Sequence, residues 1–143
     1  MKLEESFGFN ISKVAQRMDA RFSKSLEVFD INSRDYGILL TILNYSPLTQ
    51  IQVGELMAVD RTTIGQLIDS LETKGLLRRQ KNPKDRRQNL ILLSEEGDNL
   101  VKQMWLTMQT IEYDVIKNLQ DTQEVTFLTI SRIIAEGKGN GKN

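Results

Sequence analysis

A mainly α-helical fold carrying one small β-hairpin, an α+β arrangement, is predicted by three features of this sequence. Apolar residues recur at threes and fours along most of the 143 residues, the period of amphipathic helices. One run, Gln88-Asn89-Leu90-Ile91-Leu92-Leu93, reads instead as a strand. Just before it, Arg78-Arg79-Gln80-Lys81-Asn82-Pro83-Lys84-Asp85-Arg86-Arg87 gathers six positive charges and one negative charge in a chain of zero formal net charge. A basic hairpin tip beside a helix is the outline of a winged helix-turn-helix.

The elements follow in order. From Phe7 to Phe29, the residues Phe7, Ile11, Val14, Met18, Phe22, Leu26 and Phe29 line one face of a long first helix. Asn32-Ser33 can cap a second helix, Arg34 to about Asn44, which Ser46-Pro47 stops. Thr49 caps a short third helix with apolar Ile51, Val53, Leu56 and Met57. Asp60 is the N-cap of a fourth, because its carboxylate can accept from the free amides of Thr62 or Thr63 and suits the positive end of the helix dipole.

That fourth helix runs to Lys74 with Ile64, Leu67, Ile68 and Leu71 inward, and Gly75 sits where a left-handed C-cap is wanted. Leu76 and Leu77 enter the first strand of the hairpin, Asn82-Pro83-Lys84-Asp85 supplies the turn, and the second strand ends at Leu93. Ser94-Glu95-Glu96-Gly97 restarts helix, expected from about Ser94 to Leu119 with Leu100, Met104, Met108, Ile111, Val115 and Leu119 on one face. Asp121-Thr122 caps a last helix bearing Val125, Phe127, Leu128, Ile130, Ile133 and Ile134. The chain thus reads as one domain, residues 1–136, followed by a disordered tail at 137–143.

Both ends carry more apolar stripe than a central lobe of residues 33–93 can cover. Residues 1–30 and 94–136 are therefore expected to be dimerisation helices. The alternative is a larger monomeric helical core, since such a stripe is often ordinary core.

Composition narrows the function. With no Cys there is no disulfide, thiol sensor or Cys-ligated metal, and with no His the commonest metal ligand and general base is missing. There is no Gly-rich phosphate loop, nucleophile elbow or evident carboxylate pair, so neither an enzyme nor a cofactor is expected. The start, Met1-Lys2-Leu3-Glu4-Glu5, lacks a secretory pattern and no apolar run reaches membrane-span length, which points to the cytoplasm.

Charge points to double-stranded DNA. From Arg61 to Arg87 there are eight Lys/Arg against three Asp/Glu, although the totals balance at 19 each. Binding depends on the potential of the docking face rather than on the total. In a helix-turn-helix the second helix enters the major groove, which here offers Arg61, Thr62, Thr63 and Gln66. Arg can pair with guanine, Gln with adenine, and Thr with a phosphate or a thymine methyl. Gly65 lies on the same face, where a helix interior glycine calls for a compensating reason such as close backbone approach. At the hairpin tip, Asp85-Arg86-Arg87 can place a guanidinium in a narrow minor groove with Asp85 as its anchor. Arg78, Arg79, Lys81 and Lys84 would meet phosphates.

With these residues in hand, the chain resembles the MarR family of bacterial transcriptional regulators. The matching stretch runs from Ser46-Pro47-Leu48-Thr49-Gln50 through Gly54-Glu55-Leu56 and Asp60-Arg61-Thr62-Thr63-Ile64. It continues over Leu67 to Arg79, then Asp85-Arg86-Arg87 and Leu93-Ser94-Glu95-Glu96-Gly97. The resemblance implies a homodimer, most often a repressor, whose two winged helices read a pseudo-palindrome, with Arg87 as the minor-groove arginine. It also implies a small aromatic or anionic effector that releases DNA, for which Met18, Phe22, Tyr36, Trp105 and Met108 are candidate lining; core or interface is their other reading. Gly65 departs from the polar residue or Thr common there, which bears on base preference. The rival function is a protein-interaction adaptor that uses the wing on an acidic protein partner.

Overall fold

The computed structural model describes residues 2–137; of the tail expected at 137–143, everything after Gly137 lies outside the described residues. Helix α1 (Phe7–Leu26) follows a 3-10 turn at Leu3–Glu5 and gives way to another at Glu27–Phe29, so the helix expected to reach Phe29 tightens over its last three residues. Asp30, in the left-handed region, ends that turn. Helix α2 (Ser33–Tyr45) starts from Asn32, whose side chain accepts from Asp35 N at 2.9 Å while Asp35 accepts from Asn32 N at 3.0 Å. This reciprocal box satisfies two amides that the helix leaves free.

Strand β1 (Leu48–Thr49) and helix α3 (Gln50–Met57) come next, with Thr49 and Gln52 forming a second box. Helix α4 (Arg61–Thr73) follows after Ala58, which turns the chain in the left-handed region at φ 52°. Past α4 the chain reverses at Gly75, φ 75°. Gly75 N donates to Glu72 O at 2.9 Å and Leu76 N to Leu71 O at 3.0 Å, the two bonds of a Schellman cap.

Strands β2 (Leu77–Asn82) and β3 (Asp85–Leu93) form the hairpin, and β1 pairs with the far edge of β3, giving the antiparallel order β1-β3-β2. The third strand was not expected. It places Leu48 opposite Ile91 and Thr49 opposite Leu90, tying the root of α3 to the hairpin. The turn is Pro83-Lys84, with Asn82 paired to Asp85 and Lys84 N donating to Asn82 Oδ1 at 3.0 Å.

Helix α5 (Glu95–Ile116) ends three residues before the expected Leu119. Its start is welded to the root of the hairpin: Ser94 N donates to Leu76 O at 3.1 Å and Ser94 Oγ to Gly75 O at 2.5 Å. A Cβ on Gly97 would lie 2.1 Å from the Leu76 carbonyl oxygen, so only glycine fits there. Helix α6 (Asp121–Ala135) is capped by Gln120, paired reciprocally with Gln123, and not by the expected Asp121-Thr122. Both of those residues lie inside the first turn.

The core sits between α2, α3, α4, the hairpin and the first half of α5. Leu26, Ile38, Leu39, Ile42, Val53, Ile64, Ile68, Leu71, Ile91 and Val101 are fully buried in it. Burial fails toward both ends of the chain. Of the stripe expected along α1, Phe22 and Leu26 are buried, whereas Phe7 is 86% exposed. On α6 no side chain is buried, and Val125, Leu128 and Ile134 are each about two-thirds exposed.

Candidate nucleic-acid interface

Asp60 fixes the start of α4 as the sequence predicts. Its Oδ2 accepts from Thr63 N at 2.9 Å, and the Thr63 side-chain and backbone hydrogen bonds hold the carboxyl below its ordinary pKa. The cap frees the first turn to face outward. Arg61, Thr62 and Gln66 are exposed and Thr63 is half-buried, while Ile64, Ile68 and Leu71 seal the opposite face.

At the wing tip, Asp85 and Arg87 point to the same side of β3 because residues two apart in a strand share a face. Asp85 Oδ1 accepts from both Arg87 N and Arg87 Nε at 3.1 Å, and Oδ2 accepts from Nη2 at 3.4 Å. These Arg87 hydrogen bonds push the Asp85 carboxyl below its ordinary pKa. The Arg87 side chain remains 90% exposed, so it is oriented yet free to meet a partner. An open cleft of about 780 Å³ separates this tip from α3 and the start of α4, and Arg61, Asp85 and Arg87 all line it. Arg61 and the Asp85–Arg87 pair, 24 or more positions apart in sequence, thus face one space.

Of the cations expected to meet phosphates, Arg78, Lys81 and Lys84 are exposed around the hairpin, as is Arg86 at the wing tip. Arg79 corrects the expectation. Its side chain is only 22% exposed, and Nη1 donates to Glu72 Oε1 at 2.7 Å while Nη2 donates to Asp69 Oδ1 at 2.5 Å. Burial works against its charge, but the hydrogen bonds to Asp69 and Glu72 prevail and raise its pKa. Asp69 and Glu72 were not singled out from the sequence; their three-residue spacing on α4, facing an Arg-rich strand, was the available signal.

The residues expected to line an effector crevice do not gather in one place. Phe22 and Tyr36 meet edge to face inside the core, ring centres 4.9 Å apart, and the Tyr36 hydroxyl donates to Val101 O at 3.3 Å. Met108 packs against that core and Met18 is half-buried on α1. Trp105 stands apart with Leu40, Leu43, Val101, Lys102 and Leu106 around a mainly apolar pocket of about 470 Å³ between α2 and α5.

A sequence model of the MarR family matches residues 29–88, the span from the end of α1 to the wing. The multiple antibiotic resistance protein MarR of Escherichia coli (strain K12) is 26% identical over 117 residues, 81% of either chain. Over that span the chain is similar to MarR-family regulators. A MarR-family transcriptional regulator from Rhodococcus sp. RHA1 superposes with a TM-score of 0.81 at 26% identity, over 94% of this chain and 96% of that one. CouR from Rhodococcus jostii RHA1, solved bound to p-coumaroyl-CoA, gives 0.79 at 26% identity over 94% and 95%. These relatives and solved neighbours are transcriptional regulators, and the likeness supports a DNA-binding regulator rather than an enzyme. Among the described residues, no helix is long and apolar enough to cross a membrane.

Proposed function

We propose that this protein is a MarR-family homodimeric repressor that acts in the cytoplasm and occupies a pseudo-palindromic operator in double-stranded DNA. The observation that carries the reading is the shared cleft. One side offers Arg61 at the start of α4, and the other offers Arg87, aimed by Asp85, for the minor groove; Thr62, Thr63 and Gln66 follow Arg61 on α4, outside the cleft lining, for base edges in the major groove. Arg78, Lys81, Lys84 and Arg86 supply phosphate contacts, which add affinity and salt dependence without reading sequence.

The dimer is supported by the uncovered ends. A 15-residue helix with every apolar side chain open to water is marginal alone, and a second copy supplies the missing cover. Residues 1–30 and 94–136 would form that interface and residues 33–93 the DNA-binding lobe, with half-sites about one helical turn apart.

An effector reading has one specific support, the apolar pocket holding Trp105 between α2 and α5. An aromatic ligand there, its anionic group near Lys102, would release DNA only by binding the DNA-incompetent arrangement of the lobes more tightly than the competent one.

Fluorescence anisotropy with A/T-rich palindromic and random duplexes, titrated with salt, tests the main reading. A steep log-log salt slope with palindrome preference is expected. A flat response beside tight binding to an acidic protein would establish the adaptor role instead. Replacing Gln66 or Arg61 by Ala should change preference at one base pair by about 1–3 kcal/mol; an equal loss on every sequence would reassign that side chain to a phosphate.

A further inference from the structure

Of the six wing cations, Arg79 is the one whose residue is not exposed. Its guanidinium joins three elements: it leaves β2, donates to Asp69 and Glu72 on neighbouring turns of α4, and reaches Gln50 Oε1, at the first residue of α3, at 3.4 Å. The amide of Gln50 occupies the space beside Gly65, where a Cβ would come within 3.2 Å of Gln50 Nε2. Gly65 therefore makes room for a bridging side chain within the lobe, an account of that residue that needs no close approach to DNA.

The electrostatics of this cluster run against a direct role on DNA. Two carboxylates around one guanidinium leave a net negative group beside the face that must meet a polyanion. An ordinary exposed ion pair contributes little, but a planar fork bound to two carboxylates in a half-buried setting fixes an angle as well as a distance. Arg79 pairs with Ile91 in the middle of the hairpin, and the tip begins three residues farther along at Asn82, roughly 10 Å away. A small rotation at Arg79 is thus magnified at Arg87.

We infer that Arg79, clamped by Asp69 and Glu72 and braced by Gln50 in the space left by Gly65, is a positioning residue that sets the angle between wing and recognition helix. It decides whether Arg87 and the α4 side chains can engage adjacent grooves at once. The inference rests on the reading that α4 and the wing bind duplex DNA.

The test uses the full chain and a fluorescent duplex selected from a random pool by the wild-type protein, at fixed ionic strength. Arg79→Gln should lose about tenfold or more in affinity in the wild-type background, yet less than about twofold when Arg87→Ala is already present, because its effect runs through the wing. The paired change Asp69→Asn with Glu72→Gln removes two negative charges from the DNA-facing lobe, and it should nevertheless weaken binding. Arg79→Lys keeps the charge and loses the fork; it should lose affinity nearly as far as Arg79→Gln while retaining the thermal midpoint. Losses that add in the Arg87→Ala background, tighter binding by the carboxylate variant, or full affinity in Arg79→Lys would each overturn the inference and leave the DNA reading standing. A wild-type chain that recovers no duplex would overturn both.

Discussion

The lobe formed by α2, α3, α4 and the hairpin differs from the terminal helices in how completely one copy of the chain finishes it. In the lobe the helix starts are capped by Asn32, Thr49 and Asp60, Gly75 closes α4, and Ile38, Leu39, Ile42, Ile64, Ile68 and Ile91 are sealed. Along α6 and the first half of α1, the backbone is as regular, but Phe7, Ile11, Leu128 and Ile134 face outward. Helix formation is therefore local in origin, whereas burial depends on what packs against the helix, and the two part company toward the ends of the described residues.

The sharpest way to break this contrast is to damage each region with comparable substitutions. Ile68→Ala should cost about 2–5 kcal/mol, with a loss in thermal midpoint that does not depend on protein concentration. Phe127→Asp with Ile134→Asp should instead shift sedimentation toward a single chain and abolish any concentration dependence of the midpoint. Equal, concentration-independent effects from both would mean that α6 is finished within one copy.

Next in size is Arg87→Ala, which should weaken DNA binding by about 1–3 kcal/mol. Its midpoint should stay within about half a kcal/mol of wild type, because the side chain is 90% exposed. A large thermal loss would make Arg87 part of the fold.

A smaller, pH-dependent effect resides in Asp85. Its carboxyl is held below the ordinary value by Arg87, so the stabilisation is fully present above the unfolded-state pKa and disappears as pH falls through the folded one. The Arg87 Nε–H resonance should consequently hold still from pH 8 down to the usual carboxylate range and move only below it, and should show no such step in Asp85→Asn. A transition near neutral pH would refute the clasp.

The smallest effect concerns Ala58, which turns between α3 and α4 at φ 52°. Ala58→Gly should gain about 0.5 kcal/mol, as relief of the left-handed strain outweighs the added freedom of the unfolded chain. A loss measured by denaturant titration would show that the methyl group has a packing role.

Legibility in the sequence follows the same division. The caps at Asp60 and Gly75, the hairpin turn and the inward faces of α2 and α4 depend on neighbours within about one turn, and they were readable. Strand β1 was not, because Leu48-Thr49 becomes a strand only by pairing with Ile91 and Leu90, some 40 positions away. The neighbour of Gly65 was hidden for a related reason, since the Gln50 amide beside it comes from another helix. Arg79 looked like its cationic neighbours until Asp69 and Glu72 came against it. For α6 the cap falls at Gln120, one residue before the expected Asp121-Thr122, where the Gln120–Gln123 box sets it. The aromatic and sulfur side chains expected around a ligand shared a composition rather than a location, and Phe22 and Tyr36 went to the core.

The weld at Ser94 and Gly97 has a mechanical consequence. With no room between the first turn of α5 and the Leu76 carbonyl, the long helix and the hairpin root move as one piece. A tilt of α5 would therefore carry the root of the hairpin with it.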